Sequence, residues 1–280
     1  MNRFYFITTC VLLAACCFGC QSDHTKSETT DAVDSTNIKN DSTASITPKE
    51  DEETPPAAAD MVFNDFIDAF INNKTFQLSR ITFPLPHYID GKETRIAKEN
   101  WVYDPIHRDD DVYTMIFDGS NISKDAEEDT IPPHSFKVER INLDKGRIKQ
   151  YQFNKEKGAW KLTAINEHFF KDNVNNDFYN FYQKFSSDTI FQREHLLSSF
   201  VYKTYDYEAS EYIEGTLEPE QWSEVCPDLP VGIITNFICG EINPKSIKRT
   251  FTICRSASEL NTTIEFRHWG GKWVVMSLEE

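Results

Sequence analysis

The chain has 280 residues, 39% of them hydrophobic, which is room for two domains of ordinary size. Its 45 acidic residues against 29 basic ones give a formal net charge of −16. That balance argues against nucleic acid as a partner, because such binding depends on Lys and Arg neutralising phosphates. The chain also has no Gly-x-Ser-x-Gly elbow, phosphate-cradling glycine loop or His-Glu-x-x-His, and no Cys-x-x-Cys outside its first twenty residues. No catalytic residue and no cofactor is therefore nominated.

In chain order, Met1-Asn2-Arg3 is a short positive start, followed by the uncharged apolar run FYFITTCVLLAA at 4–15. That is the layout of a secretory signal, and it is short for a membrane-spanning helix. Leu13-Ala14-Ala15-Cys16 resembles the lipobox of bacterial lipoproteins, in which the cysteine is acylated and the peptide cut before it. Cys20 is the rival: Gly19 precedes it and polar Gln21-Ser22-Asp23 follow, but Phe18 and Cys17 depart from the pattern. Several acyl chains, at about 0.8 kcal/mol per buried methylene, make a stable anchor. The reading implies attachment to a membrane of the cell envelope, outer membrane first, facing the periplasm or the cell surface. Residues 21–59 contain no aromatic, Gly or Cys and end in KEDEETPPAAA. Such a segment buries too little apolar surface to offset its chain entropy, so it is expected to be a disordered acidic tether about 35 Å in mean reach.

From Asp60 the pattern becomes globular and repeats. FNDFIDAFINNKTFQ at 63–77 matches FYNFYQKFSSDTIFQ at 178–192 through Phe63, Phe66, Phe70, Phe76 and Gln77 against Phe178, Phe181, Phe185, Phe191 and Gln192. KENW at 98–101 answers PEQW at 219–222, and QFNKEKGAWKLTAI at 152–165 answers EFRHWGGKWVVMSL at 265–278. The Phe spacing is one apolar helix face in each copy, with Asp60 and either Asn175 or Asn176 as expected caps. A short second helix is expected after Thr75 and Thr189, and a helical turn around each Glu-x-Trp. Strands follow at 112–118, 135–143, 147–153 and 159–165, then at 232–240, 247–254, 262–268 and 272–278. Turns are expected at Asp144-Lys145-Gly146, Glu156-Lys157-Gly158, Asn243-Pro244 and Gly270-Gly271. Phe136, Val138 and Ile141 fall out of strict alternation, which predicts a bulge near Glu139-Arg140.

Helices first and about four antiparallel strands after them make an α+β unit, here twice: a first domain at 60–170 and a second at 174–280. This order resembles the cystatin-like cone of nuclear transport factor 2 and its relatives. The whole, from leader to repeat, resembles a Bacteroidetes lipoprotein family (a domain of unknown function) with that fold. The resemblance implies a curved sheet wrapping a long helix and leaving an open pocket. Enzymes of the cone fold work through Asp, His and Tyr in that pocket, but no motif here permits transfer of a role to a given residue.

Three constellations are candidates for sites. Asp104, His107, Asp109, Asp110 and Asp111 bring a His beside several carboxylates and could form a cation site or a His–Asp acid/base pair, although an exposed loop is the plainer reading. Arg80, His87 and Tyr88 follow the short helix, and His195 stands where Arg80 does. These could hold an anionic ligand at the pocket mouth, or cap a helix C-terminus. Trp101, Trp160, Trp222 and Trp273 repeat and so read as core, whereas Trp269 sits unmatched in a turn and is a candidate contact surface. The run YKTYDYEASEY at 202–212 reads as an exposed lip. Cys226, Cys239 and Cys254 permit one disulfide or three free thiols. The resulting expectation is a membrane-anchored lipoprotein binding a small ligand or an envelope protein without catalysis. An acid/base enzyme of isomerase or hydrolase type and a structural spacer are the alternatives.

Overall fold

The computed structural model describes residues 60, 62–108, 110–118, 134–240, 243, 245–255 and 261–280. The leader, the tether and both candidate lipidation cysteines, Cys16 and Cys20, lie outside the described residues, as does Asp109. The α+β order holds twice. Helix α1 (Phe63–Asn72) and α2 (Lys74–Ser79) precede β1 (Leu85–Ile89), β2 (Lys92–Ile96), β3 (Val112–Phe117), β4 (Ser135–Asn142), β5 (Arg147–Glu156) and β6 (Ala159–Phe169). Helices α3 (Asn176–Phe185) and α4 (Thr189–Glu194) then precede β7 (Leu196–Asp206), β8 (Glu211–Leu217), α5 (Trp222–Val225), β9 (Ile233–Cys239), β10 (Lys248–Arg255), β11 (Thr262–Trp269) and β12 (Lys272–Glu279). Single 3-10 turns at Lys98–Asn100 and Pro219–Gln221 precede the two repeated Trp residues.

Each sheet has six strands, where about four were expected. The missing pair in each copy is a hairpin, β1–β2 and β7–β8. The first was masked by Pro86 inside a strand, although Asp90-Gly91 is a hairpin turn signal; both residues take positive φ, 49° and 80°. The 202–212 run belongs to the second hairpin, so it has a counterpart in β1–β2, and its Tyr205, Tyr207 and Tyr212 rings cluster at the tip.

The sheet orders are β2-β1-β6-β5-β4-β9 and β3-β10-β11-β12-β7-β8. The repeats have therefore exchanged a strand: β9 of the second completes the first sheet, and β3 of the first completes the second. Where β3 and β9 cross, Thr114 and Thr235 grip each other reciprocally. The Thr114 N–H donates to Thr235 Oγ1 at 2.8 Å and the Thr235 N–H to Thr114 Oγ1 at 3.0 Å. Each hydroxyl then donates to the other's carbonyl, at 2.6 and 2.8 Å. Both residues are buried, so these bonds satisfy backbone groups that no further strand can reach. The described residues accordingly fall in one compact unit, and the connector near 170–175 separates sequence repeats rather than sheets.

Each α1-type helix lays its aromatic stripe on the inner face of its sheet. Phe63, Phe66 and Phe70 pack with Phe153 and Trp160, and Phe178, Phe181 and Phe185 with Phe266. At about 1.5–3 kcal/mol per buried ring, these contacts outweigh the weak capping of the helices. Capping is indeed weak: Val62 and Asn175 are the N-cap residues and neither side chain caps. Asp60, expected as a cap, instead pairs with Arg80, and Asn175 accepts from Arg249 Nε at 3.0 Å. Strand β4 runs in unbroken register against β5, so the expected bulge at Glu139-Arg140 is absent; the irregularity lies between Gln152 and Phe153. The alternation looked broken because β4 is buried on both faces. Val138 joins the first core and Ile141, on the opposite face, joins the second. On that outer face buried Glu139 accepts from Tyr179, Gln150 and Asn173 at 2.8–2.9 Å, a polar junction between the repeats.

Candidate functional site

The repeated Phe-Gln pair explains how the site is framed. Gln77 is fully buried; its amide donates to Phe70 O at 3.1 Å and Asp104 O at 2.7 Å. Its carbonyl accepts from Trp101 Nε1 at 3.1 Å and the Asp104 N–H at 3.0 Å. Gln192 repeats half of this, donating to Phe185 O at 2.8 Å and accepting from Trp222 Nε1 at 3.1 Å. A single amide thus ties the end of the long helix to the Trp segment in both copies. In the first copy it also fixes Asp104.

Asp104 stands at the wall of a cavity of about 320 Å³ on the inner face of the first sheet, beyond the helix. Arg140 and Asn142 from β4, Arg147, Lys149 and Tyr151 from β5, Glu167 from β6, and Ile233 from the exchanged strand β9 line it. Register places these side chains together. Val138 opposes Tyr151, Arg140 opposes Lys149 and Asn142 opposes Arg147, so all lie on one face. The next strand adds Glu167 beside Lys149, and β1 adds His87, whose Nε2 is 3.0 Å from Glu167 Oε1.

The electrostatics are tightly arranged. Asp104 Oδ2 accepts from Tyr151 Oη at 2.6 Å and Lys149 Nζ at 2.7 Å, and its Oδ1 accepts from the Ile106 N–H at 2.9 Å. Burial pushes the Asp104 carboxyl up, but the Lys149 charge and the three hydrogen bonds outweigh it and hold the pKa below the ordinary value. Burial first, then the Asp104 charge and hydrogen bond, push the Tyr151 hydroxyl far above its ordinary value. Ile106 sits at φ 54°, a left-handed conformation that costs a β-branched residue energy, and its side chain is buried in the first core. The Asp104 loop is held in place rather than free to follow a ligand. At the rim, Arg140 Nη2 donates to both Asp110 oxygens at 3.0 Å, and Arg147 pairs with Asp90 at 3.2 Å.

The described residues of the second cone line the equivalent face differently. Phe266 occupies the place of Phe153, and the same register then sets Ile253, Thr262 and Ile264 where the first cone has Arg140, Lys149 and Tyr151. Ile253 and Ile264 are buried, and Val225, Cys226 and Leu229 pack onto the same core. Among the described residues of its wall, Arg255 stands where Asn142 does, and Tyr202 Oη donates to Glu280 Oε2 at 3.2 Å, where the first cone has His87 against Glu167.

Of the residues nominated from sequence, His87 comes nearest the cavity, through Glu167. Arg80 is a C-cap residue whose guanidinium makes a two-pronged pair with Asp60 at 2.8 Å and lies over the Phe76 ring. Tyr88 alternates to the other face of β1 from His87. His195 is the C-cap of α4, stacked on Phe191 with Nδ1 2.7 Å from Phe191 O. Trp269 is 60% exposed at the β11–β12 turn with Arg267 alongside. Asp110 serves Arg140 and Asp111 is exposed; among the described residues no group of His, Cys, Asp and Glu could hold a metal ion. Cys226, Cys239 and Cys254 are free thiols, so no disulfide joins them. Asp104 belongs to the nominated His107 stretch, but its partners are Lys149 and Tyr151 rather than a cation or His107; Tyr151, Lys149 and Arg140 read as ordinary strand residues in the sequence. The signal available was non-apolar residues at Arg140 and Lys149 on what should be the inward face of two strands.

No curated protein matches the chain. A solved structure described as an NTF2-like protein from Bacteroides fragilis NCTC 9343 aligns with 81% of this chain and 98% of its own, at 27% identity and a TM-score of 0.69. That span is longer than either repeat, so the likeness extends over both cones. The model of a domain of unknown function, DUF4348, matches residues 42–280, taking in both repeats and every residue of the cavity wall, and the chain therefore belongs to the DUF4348 family.

Proposed function

We propose that the protein is a lipid-anchored envelope lipoprotein whose first cone binds a small ligand, with the second cone as its scaffold and without catalysis. One observation carries the reading: at the register positions where the first cone lines a cavity with Arg140 and Tyr151, the second carries buried Ile253 and Ile264. A volume of about 320 Å³ suits a small molecule, at the lower end of usual ligand cavities. The leader with Leu13-Ala14-Ala15-Cys16 supports an anchor at Cys16 or Cys20, and the acidic 21–59 segment supports a tether. An envelope protein remains the alternative partner, through Trp269 or the Tyr205–Tyr212 tip.

The acid/base alternative draws on Asp104 beside Tyr151 in a pocket. General acid–base work needs a group that exchanges a proton near the working pH. Asp104 is held ionised and already receives the Tyr151 proton in a 2.6 Å hydrogen bond, and Tyr151 is shifted away from neutrality, which favours binding over catalysis. Mass spectrometry of the native protein after mild extraction tests the proposal. A co-purifying small molecule is expected, lost in a variant that fills the chamber, together with acylation at Cys16 or Cys20. A chamber that binds nothing, or a cysteine without lipid, overturns the corresponding half.

A further inference from the structure

We infer that the first-cone cavity is an oxyanion site, taking a small organic ligand by its carboxylate or phosphate group; this rests on the first cone being the ligand-binding half. Antiparallel partners on one sheet face stand about 5 Å apart. Arg140 with Lys149, and Asn142 with Arg147, therefore form a two-by-two block of hydrogen-bond donors on the cavity wall. Lys145, in the turn between the same two strands, adds a fourth cation. Against these stand Asp104 and Glu167 on the wall and Asp110 and Asp90 at the rim. Four cations gathered on one concave face stand out in a chain of 45 acids to 29 bases.

The acidic partners orient the cations without exhausting them. Asp110 takes only Nη2 of Arg140; the Nε–H of that guanidinium is buried without a hydrogen-bond partner. Asp104 holds Lys149 at 2.7 Å from one side, and Asp90 holds Arg147 from the turn of β1–β2. The partners come from two different loops at the edge, and the cations share the wall between them. Ile233 on the lining supplies an apolar flank for the rest of the ligand. A free anion meets general repulsion from a chain of charge −16, so measurable binding has to come from a local site of this kind.

Calorimetric titration of the full chain at low ionic strength tests this, with succinate and inorganic phosphate as the two anionic probes and glucose as the neutral one. Succinate or phosphate is expected to bind, and whichever is tighter identifies the anionic group. Arg147→Gln and Arg140→Gln should each weaken it about tenfold or more, and added salt should weaken it further. Arg95→Gln, in an exposed pair with Glu93 on β2, should leave it unchanged. Arg147→Gln keeps the test valid if Arg140→Gln disturbs folding, because the Arg147–Asp90 pair is the more exposed at its carboxylate; circular dichroism checks both. Anion binding that is equal in all variants overturns the inference. Glucose or a co-purified neutral molecule bound without anion binding also overturns it, while leaving the first cone as a binding domain. No binding of any small molecule removes both.

Discussion

The two cones are built on one plan and finished differently. Each has the Phe stripe, the buried Gln tied to a Trp, the six-stranded sheet with an exchanged edge, and a closing hairpin ending in glycine turns. Yet the same register positions hold Arg140, Lys149 and Tyr151 in one and Ile253, Thr262 and Ile264 in the other. Apolar side chains there need no partners and close the cone by packing. Charged side chains need solvent or counter-ions and hold it open, each tied to a carboxylate at the rim. A duplicated fold can thus keep one copy as a rigid support while the other retains a chamber, through a few substitutions on the inward face of two strands.

The strand exchange sets the largest effect. Residues 60–172 and 173–280 expressed separately should each fail to give a cooperative melt, because each lacks the strand that completes its sheet; mixing them should restore one. Independent melting of either half at the parent temperature would break the equivalence of the exchanged strands. Gln77→Ala and Gln192→Ala come next. Each strands buried backbone and indole groups, at an expected cost of about 3 kcal/mol for Gln77 and about 2 kcal/mol for Gln192, whose amide serves fewer partners. Denaturant titration measures both, and only Gln77→Ala should also impair ligand binding, through Asp104.

Asp104→Asn should cost about 2 kcal/mol at neutral pH, by weakening charge-assisted hydrogen bonds from Lys149 and Tyr151. Because the folded pKa of Asp104 lies below its ordinary 3.8, its contribution is present above that value and lost as pH falls through the folded pKa. Denaturation curves from pH 7 down to pH 2 should therefore converge for wild type and variant at the acid end. The second cone, with Val225 where Asp104 stands after Trp101, has no such term; a parallel pair of curves would sink the assignment. Smallest is Trp269→Ala, expected within about 0.5 kcal/mol because the ring is mostly exposed. Loss of partner binding with no loss of stability would mark it as a contact residue.

Sequence by itself determined the periodic parts of this protein. The Phe spacings specify two amphipathic helices, eight strands follow from their patterns, and the repetition of Phe-Gln and Trp marks two copies of one unit; local periodicity carries that information. Pro86 hid a hairpin, and double burial of β4 imitated a bulge, since alternation reports one buried face at a time. Tertiary structure alone decided that β3 and β9 change places and that Glu139 lies between the repeats. It alone brought Asp104, 45 residues away along the chain, to Lys149. Those outcomes depend on which strand pairs with which and on what faces a charge across space, and neither is written in the spacing of neighbours along the chain.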